Sequence, residues 1–417
     1  MKPDRQARDQ AADRESLCRK KLRDAAFKER TSRTHGVGLL MKAKPNLLLL
    51  TALLLTMFTI ESMAQEKHDR LYRIRVNDKY GFIDRQGRIV VPPRLTNAEE
   101  FSEGLALVTK KDRVGFIDSQ GRMVIEPVFY RAESFADGLA LVLAAGGEKN
   151  SGVWSYIDRT GKIVFRLFDY VYPSFDPQSF SEGLAAYCKN EKWGYIDKTG
   201  KTVIEPQFDR AFAFSEGLAK VRIGEFYGFI DTEGKIVIKP EFPRPYTVDI
   251  LLRPRPTDYD LSFHDGLVAM GIAPDHQWAY IDKTGNVVFT ISRNHHSPFS
   301  FSEGLVKMRN DAGAGFFDTK GDVAIEPRWG TVEDFSEGLA AAEWRNSSRT
   351  PCEHNNCWGY LDRHGKVVID RQFSTARPFQ GGLAWVSITI PRLNWSDSYK
   401  QGYIDRTGKF VWSMIIR

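Results

Sequence analysis

Residues 193–221 read WGYIDKTGKTVIEPQFDRAFAFSEGLAKV. The first half alternates ring and aliphatic residues, reverses at a short polar segment, and alternates again. That pattern predicts two strands joined by a tight turn. The reversal is Asp197-Lys198-Thr199-Gly200. An Asp opening a turn accepts bonds from backbone N–H groups two residues on, and a Gly at the fourth position tolerates positive φ.

Working outward, the hairpin recurs as GFIDSQGRMVI (115–125), SYIDRTGKIVF (155–165), GFIDTEGKIVI (228–238) and AYIDKTGNVVF (279–289). It continues as GFFDTKGDVAI (315–325), GYLDRHGKVVI (359–369) and GYIDRTGKFVW (402–412). With the first copy at 80–91 and the quoted one, the chain holds nine units from Leu71 onward. Each reads as three strands, A, B and C, followed by a connector; in the first they fall near 71–76, 80–84 and 88–91. Periods of this size point to repeat architectures.

Each hairpin carries an aspartate: Asp84, Asp118, Asp158, Asp197, Asp231, Asp282, Asp318, Asp362 and Asp405. Nine copies of one carboxylate read as turn caps, since catalysis needs unlike groups converging once. The connectors carry a second marker, FSEGLA at 101–106, 180–185, 214–219 and 335–340. Its variants are FADGLA (135–140), FHDGLV (263–268), FSEGLV (301–306) and FQGGLA (379–384). The Phe reads as a plug between units, and Ser-Glu-Gly as the turn into the next strand A. The variant at 379–384 shows that the array tolerates loss of the acid.

These residues resemble the WG-repeat (KWG-repeat) family, typified by W-G-Y/F-I-D-x-x-G-x-x-V-I-x-P-x-F, over nearly all of 71–417. Trp193-Gly194 and Trp358-Gly359 keep the naming pair. Tyr80 and Tyr227 replace the Trp, Ser155 and Ala279 replace the Gly, and Val114, Ala314 and Gln401 carry no ring. The resemblance implies an exported bacterial β-repeat protein with no established catalytic residues.

The fold class expected is therefore all-β: a tandem array of nine three-stranded β-meander units forming a curved solenoid or a propeller-like assembly. A single unit has too little apolar surface to stand alone, so neighbours must bury each other's faces. No strand is left over at either end for a split closing blade, which favours an open curl.

The net charge gives no argument for a basic surface on this body. The net charge is +6, but residues 1–44 carry thirteen Lys and Arg against six Asp and Glu, leaving the remainder near neutral. A nucleic-acid partner is not expected. Met41-Lys42-Ala43-Lys44, an apolar run from Leu47 to Ile60 and Ser62-Met63-Ala64 have the layout of a secretory signal peptide cut after Ala64. The run is shorter than the roughly 20 residues of a membrane span, and Gln65 after the cut gives no lipid anchor. The expected division is 1–40, an extension from a start upstream of the true one; 41–64, the signal peptide; and 65–417, the repeat domain. The expected location is periplasmic, extracellular or at the cell surface.

Individuality lies in six long insertions. Arg166–Ser179, Pro240–Ser262 and Thr290–Ser300 lie between C and the next A; Ala144–Gly152, Glu343–Asn356 and Ile388–Lys400 lie between A and B. Within PCEHNNC, Cys352 and Cys357 are expected to pair as a disulfide, as suits an exported chain. A metal site adding His354 lacks a fourth ligand. Cys188 reads as a buried strand residue. No G-x-S-x-G, H-E-x-x-H, P-loop or dinucleotide fingerprint occurs, and no cofactor or metal is expected.

Three readings of function follow. The first is a non-enzymatic scaffold binding a protein or envelope polymer through its insertions. The second is a glycan or peptidoglycan binder using Trp154, Trp193, Trp278 and Trp358, which requires those rings to be exposed. The third is an enzyme whose site assembles from loops.

Overall fold

The computed structural model describes residues 70–145, 152–167, 177–243, 262–272, 277–291, 299–344, 357–391 and 398–416. The chain divides into Met1–Glu66, outside the described residues together with the expected extension and signal peptide, and one compact unit, Lys67–Arg417. Within that unit the described strands form nine small antiparallel sheets, the blades of a nine-bladed β-propeller. In chain order the blades occupy 72–95, 97–129, 131–166, 184–208, 210–243, 267–291, 305–329, 331–373 and 375–416.

Blade 5 shows the plan: Arg210–Ser215, Leu218–Ile223, Phe226–Ile230 and Ile236–Pro243 pair side by side in chain order. The last three are A, B and C. The first is the connector, which pairs with the free edge of A as a fourth strand. Blades 2, 3, 5, 8 and 9 all have four strands, so three per unit is corrected there. In blades 4, 6 and 7 the same connector meets A through a single bridge: Ser181↔Leu184, His264↔Leu267 and Ser302↔Leu305. An unpaired strand edge leaves N–H and C=O groups unsatisfied, and the connector supplies partners for them.

Neighbouring blades are held by the two markers of the sequence. The connector Phe of each of blades 2–9 packs on the B-strand ring of the blade before it. Phe101 meets Phe82 with ring centroids 4.7 Å apart, Phe214 meets Tyr195 at 4.9 Å, and Phe379 meets Tyr360 at 4.9 Å. Such tilted and edge-on pairs contribute beyond their buried area. Where B carries Tyr, its hydroxyl also donates to the next connector, as Tyr195 Oη does to the Phe212 carbonyl at 2.7 Å. The glycine of each B–C turn does a second job besides adopting φ near +84°, as Gly200 does. A Cβ there would lie 2.6 Å from Phe165 Cγ on strand C of the preceding blade. The turn therefore needs Gly for its backbone and for its neighbour.

The Gly of the Trp-Gly pair has a different cause. In blade 4, Trp193 pairs with Phe208 and Tyr195 with Ile204, so Gly194 faces an outward kink of strand C at Glu205-Pro206-Gln207. The same wide irregularity occurs in blades 1, 2, 5, 7 and 8, all of which keep Gly. In blades 3 and 6 pairing runs straight through, Ser155↔Arg166 and Ala279↔Thr290, and there the Gly is replaced. Blade 9 also pairs straight through while keeping Gly402.

The open curl favoured above is not what forms: blade 9 meets blade 1. Tyr72 and Tyr403 pack as a tilted pair with ring centroids 5.2 Å apart, standing in for the Phe–ring pair of the other eight junctions. Tyr403 Oη donates to the Arg73 carbonyl at 2.9 Å, and Tyr72 Oη to the Gly381 carbonyl at 2.6 Å. Gly87 approaches Val411 of blade 9 as every other turn glycine approaches the blade before it. Closure therefore needs no shared sheet; side chains complete it.

Candidate functional site

Because each blade is an antiparallel meander, its turns alternate between two faces of the ring. The connector-to-A and B–C turns emerge on one face. The A–B turns and the C-to-connector links emerge on the other.

The first face is built of repeated tight turns. In all nine B–C turns the Asp accepts from the backbone N–H groups two and four residues on, as Asp197 Oδ1 does from Thr199 at 2.9 Å and Lys201 at 3.0 Å. The Thr199 hydroxyl adds a third bond at 2.6 Å. The threonine hydroxyl bonds first, then those backbone N–H groups, hold Asp158, Asp197 and Asp282 below the usual carboxylate range. These are structural caps, as the sequence predicted. A carboxylate depressed in the folded state stabilises the fold above its unfolded value of about 3.9 and loses that contribution as pH falls toward the folded value. Denaturant midpoints are thus expected to fall between about pH 5 and pH 3, and Asp197→Asn to lessen the fall. Midpoints unchanged over that range would contradict it.

The connector turns on the same face link blade to blade. Glu216 and Gly217 have φ of +53° and +84°, the two-residue reverse turn that joins twisted strands. The acid then accepts the glycine N–H of the next connector. Glu103 takes Gly138 at 3.0 Å, Asp137 takes Gly183 at 2.6 Å, Glu182 takes Gly217 at 2.9 Å and Glu216 takes Gly266 at 3.0 Å. Asp265, Glu303 and Glu337 continue to Gly304, Gly338 and the Gly381–Gly382 pair. Seven successive junctions carry this link. The acid read from sequence as a turn residue is also a clasp between neighbours, a role invisible without the ring.

The second face carries every insertion. All six leave strand A toward B or leave strand C toward the next connector, so the strand ends that bracket them lie together on that face. The central parts of the insertions, 146–151, 168–176, 244–261, 292–298, 345–356 and 392–397, lie outside the described residues. They include Cys352 and His354 of the PCEHNNC segment. Cys357 is buried and disulfide-bonded. Cys188 is a buried free thiol in Leu184–Lys189, and burial pushes its pKa up.

The four tryptophans start the B strands near this second face, in blades 3, 4, 6 and 8. Trp193 is buried, with the Arg210 guanidinium 4.6 Å from its ring centroid. Trp154, Trp278 and Trp358 are half-buried against their own and neighbouring blades. The structure does not bring the four together: only Trp154 and Trp193 belong to adjacent blades. Among the described residues no group of three or more His, Cys, Asp or Glu is placed to hold a metal ion. No helix of the described residues is long and apolar enough to cross a membrane.

The model of the WG containing repeat matches residues 80–113, 115–145, 154–193, 193–225, 227–244, 315–343 and 358–388, more than half of the chain. The chain belongs to this WG-repeat family. Blade 6 falls outside the matched residues, and blade 9 is matched only as far as residue 388. No curated protein matches. Among solved structures, a eukaryotic initiation factor is similar over 83% of this chain and 96% of that one, with a TM-score of 0.52 and 12% identity. At that identity the likeness shows the fold alone. A protein of unknown function from Bacteroides caccae covers 67% of this chain and 93% of its own at 13% identity, with a TM-score of 0.23, too weak a likeness to bear on the fold.

Proposed function

We propose that this WG-repeat propeller is an exported, non-catalytic scaffold whose insertion-bearing face binds a protein or an envelope polymer. One observation carries the reading: six insertions of unlike sequence open onto a single face, while the opposite face consists of nearly identical short turns. Variable loops held on a rigid framework are where binding residues concentrate. A glycan reader built on Trp154, Trp193, Trp278 and Trp358 has less support, because one ring is buried and three are half-buried. No nucleic acid, cofactor or stable membrane anchor enters this reading.

The test is capture from envelope extracts by a tagged chain beginning at Gln65. A second version has 244–261 and 345–356 replaced by short Gly-Ser links. Capture is expected from the first and lost from the second. A control with Asp84→Asn and Asp231→Asn, on the turn face, is expected to retain it. Equal capture by all three would refute the assignment of the face.

A further inference from the structure

Blade 1 is the one blade in which no described residue covers the free edge of strand A; Tyr72–Val76 pairs only with Lys79–Ile83 on its other side. The sequence before it departs from every other connector. Counting back from Leu71 as the conserved Leu, Lys67 stands where the others have Phe, His68 where most have Ser, and Arg70 where all have Gly. Arg70, an L-residue, disfavours the left-handed backbone that Gly adopts at this position in the other connectors. Among the described residues, Tyr72 of strand A supplies the ring at this junction.

The edge opens into a cavity of about 490 Å³ between blades 9, 1 and 2. Its walls carry four arginines, Arg70, Arg73, Arg75 and Arg377, and one carboxylate, Glu100; Asp78, outside the walls, pairs with Arg75 at 2.9 Å. Arg73 donates to the Ala98 carbonyl at 2.7 Å and pairs with Glu100 at 3.4 Å. Arg70 donates to Gln380 Oε1 at 2.6 Å. Arg377 is exposed, and its guanidinium makes no contact with an acceptor among the described residues. Arg73 and Arg75 flank the Tyr80 ring at 5.5 and 5.4 Å. Tyr72, Tyr403 and Trp385 complete the apolar wall.

We propose that this seam groove binds an extended acidic peptide, which adds to strand A as the missing fourth strand of blade 1. The space is strand-shaped because a connector occupies its counterpart in the other blades. Strand addition uses main-chain bonds for affinity and alternate side chains for selectivity. Here alternate acidic side chains would meet the arginines, whose planar forks pair with carboxylates. The groove runs along strand A from Arg70 at the turn face to Arg75 and Tyr80 at the other, and none of its lining residues belongs to an insertion.

The probe is an end-blocked peptide alternating Val and Glu, titrated by calorimetry against the chain beginning at Gln65. Saturable binding is expected, with slowed amide exchange across 72–76. A peptide with Lys in place of Glu, and one N-methylated at alternate residues, are each expected to bind at least about tenfold more weakly. Arg377→Gln, exposed and outside the core, is expected to weaken the Val-Glu peptide several-fold. Shortening 244–261 and 345–356 is expected to leave it unchanged, which separates failure here from failure of the proposed binding face. Absence of saturation up to about 1 mM, equal binding of acidic and basic peptides, or full binding of the N-methylated one would each overturn the proposal.

Discussion

Gly194→Val is expected to destabilise the propeller by about 4 kcal/mol or more, or to prevent folding. A Cβ at this position collides with the Ile204 carbonyl oxygen, and it would lie 2.7 Å from Pro206 N and 2.9 Å from the Glu205 carbonyl carbon. All three are backbone atoms of the kinked strand C, so no rotamer change relieves the clash. Valine adds two methyl groups to the same volume. The companion substitution is Ala279→Gly in blade 6, where B and C pair without a kink. That change removes only a methyl group and costs about 1 kcal/mol in strand conformational freedom. Guanidinium unfolding of both variants against the parent reads the difference. Similar midpoints for the two would mean that the kink is not what demands the glycine.

The second large effect is expected at the seam. Tyr403 packs at a tilt against Tyr72 and on Trp385 at 4.9 Å, and its hydroxyl donates to the Arg73 carbonyl. Tyr403→Ala removes a half-buried ring from the one junction that is closed by side chains alone, at a cost of about 3 kcal/mol. Tyr403→Phe keeps the ring and loses the bond, at about 1 kcal/mol. Burial holds the Tyr72 phenol up to about 12, so this pair stays neutral through the physiological range. In the alanine variant the amides of 72–76 are expected to exchange faster than those of the corresponding strand A in blade 5, Leu218–Ile223. Uniform exchange around the ring would argue that closure does not depend on this pair.

The hairpins were legible because their determinants are local: Asp197, Gly200 and the flanking alternation all lie within a dozen residues. The fourth strand was not. Asn97–Ser102, NAEEFS, lacks the alternation that marks a strand, because its role is to satisfy the edge of A rather than to fill the core. Closure was hidden for another reason. It depends on Tyr72 taking over from a connector Phe, a substitution whose meaning appears only when Tyr403 is opposite it. The glycine rule, by contrast, was present in the residues and unread. Ser155 and Ala279 fall in two units whose strand C continues as Phe165-Arg166-Leu167 and Phe289-Thr290-Ile291, without the x-Pro found at the kink in blades 1, 2, 4, 5 and 7; blade 8 kinks at Asp370-Arg371 with no proline. The common face of the six insertions was likewise implicit in strand parity, since every one follows an A or a C. What the insertions recognise was not legible, because their side chains answer to a ligand and not to the repeat.

Junctions built from one recurring set of contacts have a cost in ambiguity: any blade fits beside any other, and nothing in such a joint fixes how many copies make a full circle. Tyr72 and Tyr403 are the exception. They form a pair that occurs once in the ring, so the two end blades carry a contact that no other junction offers.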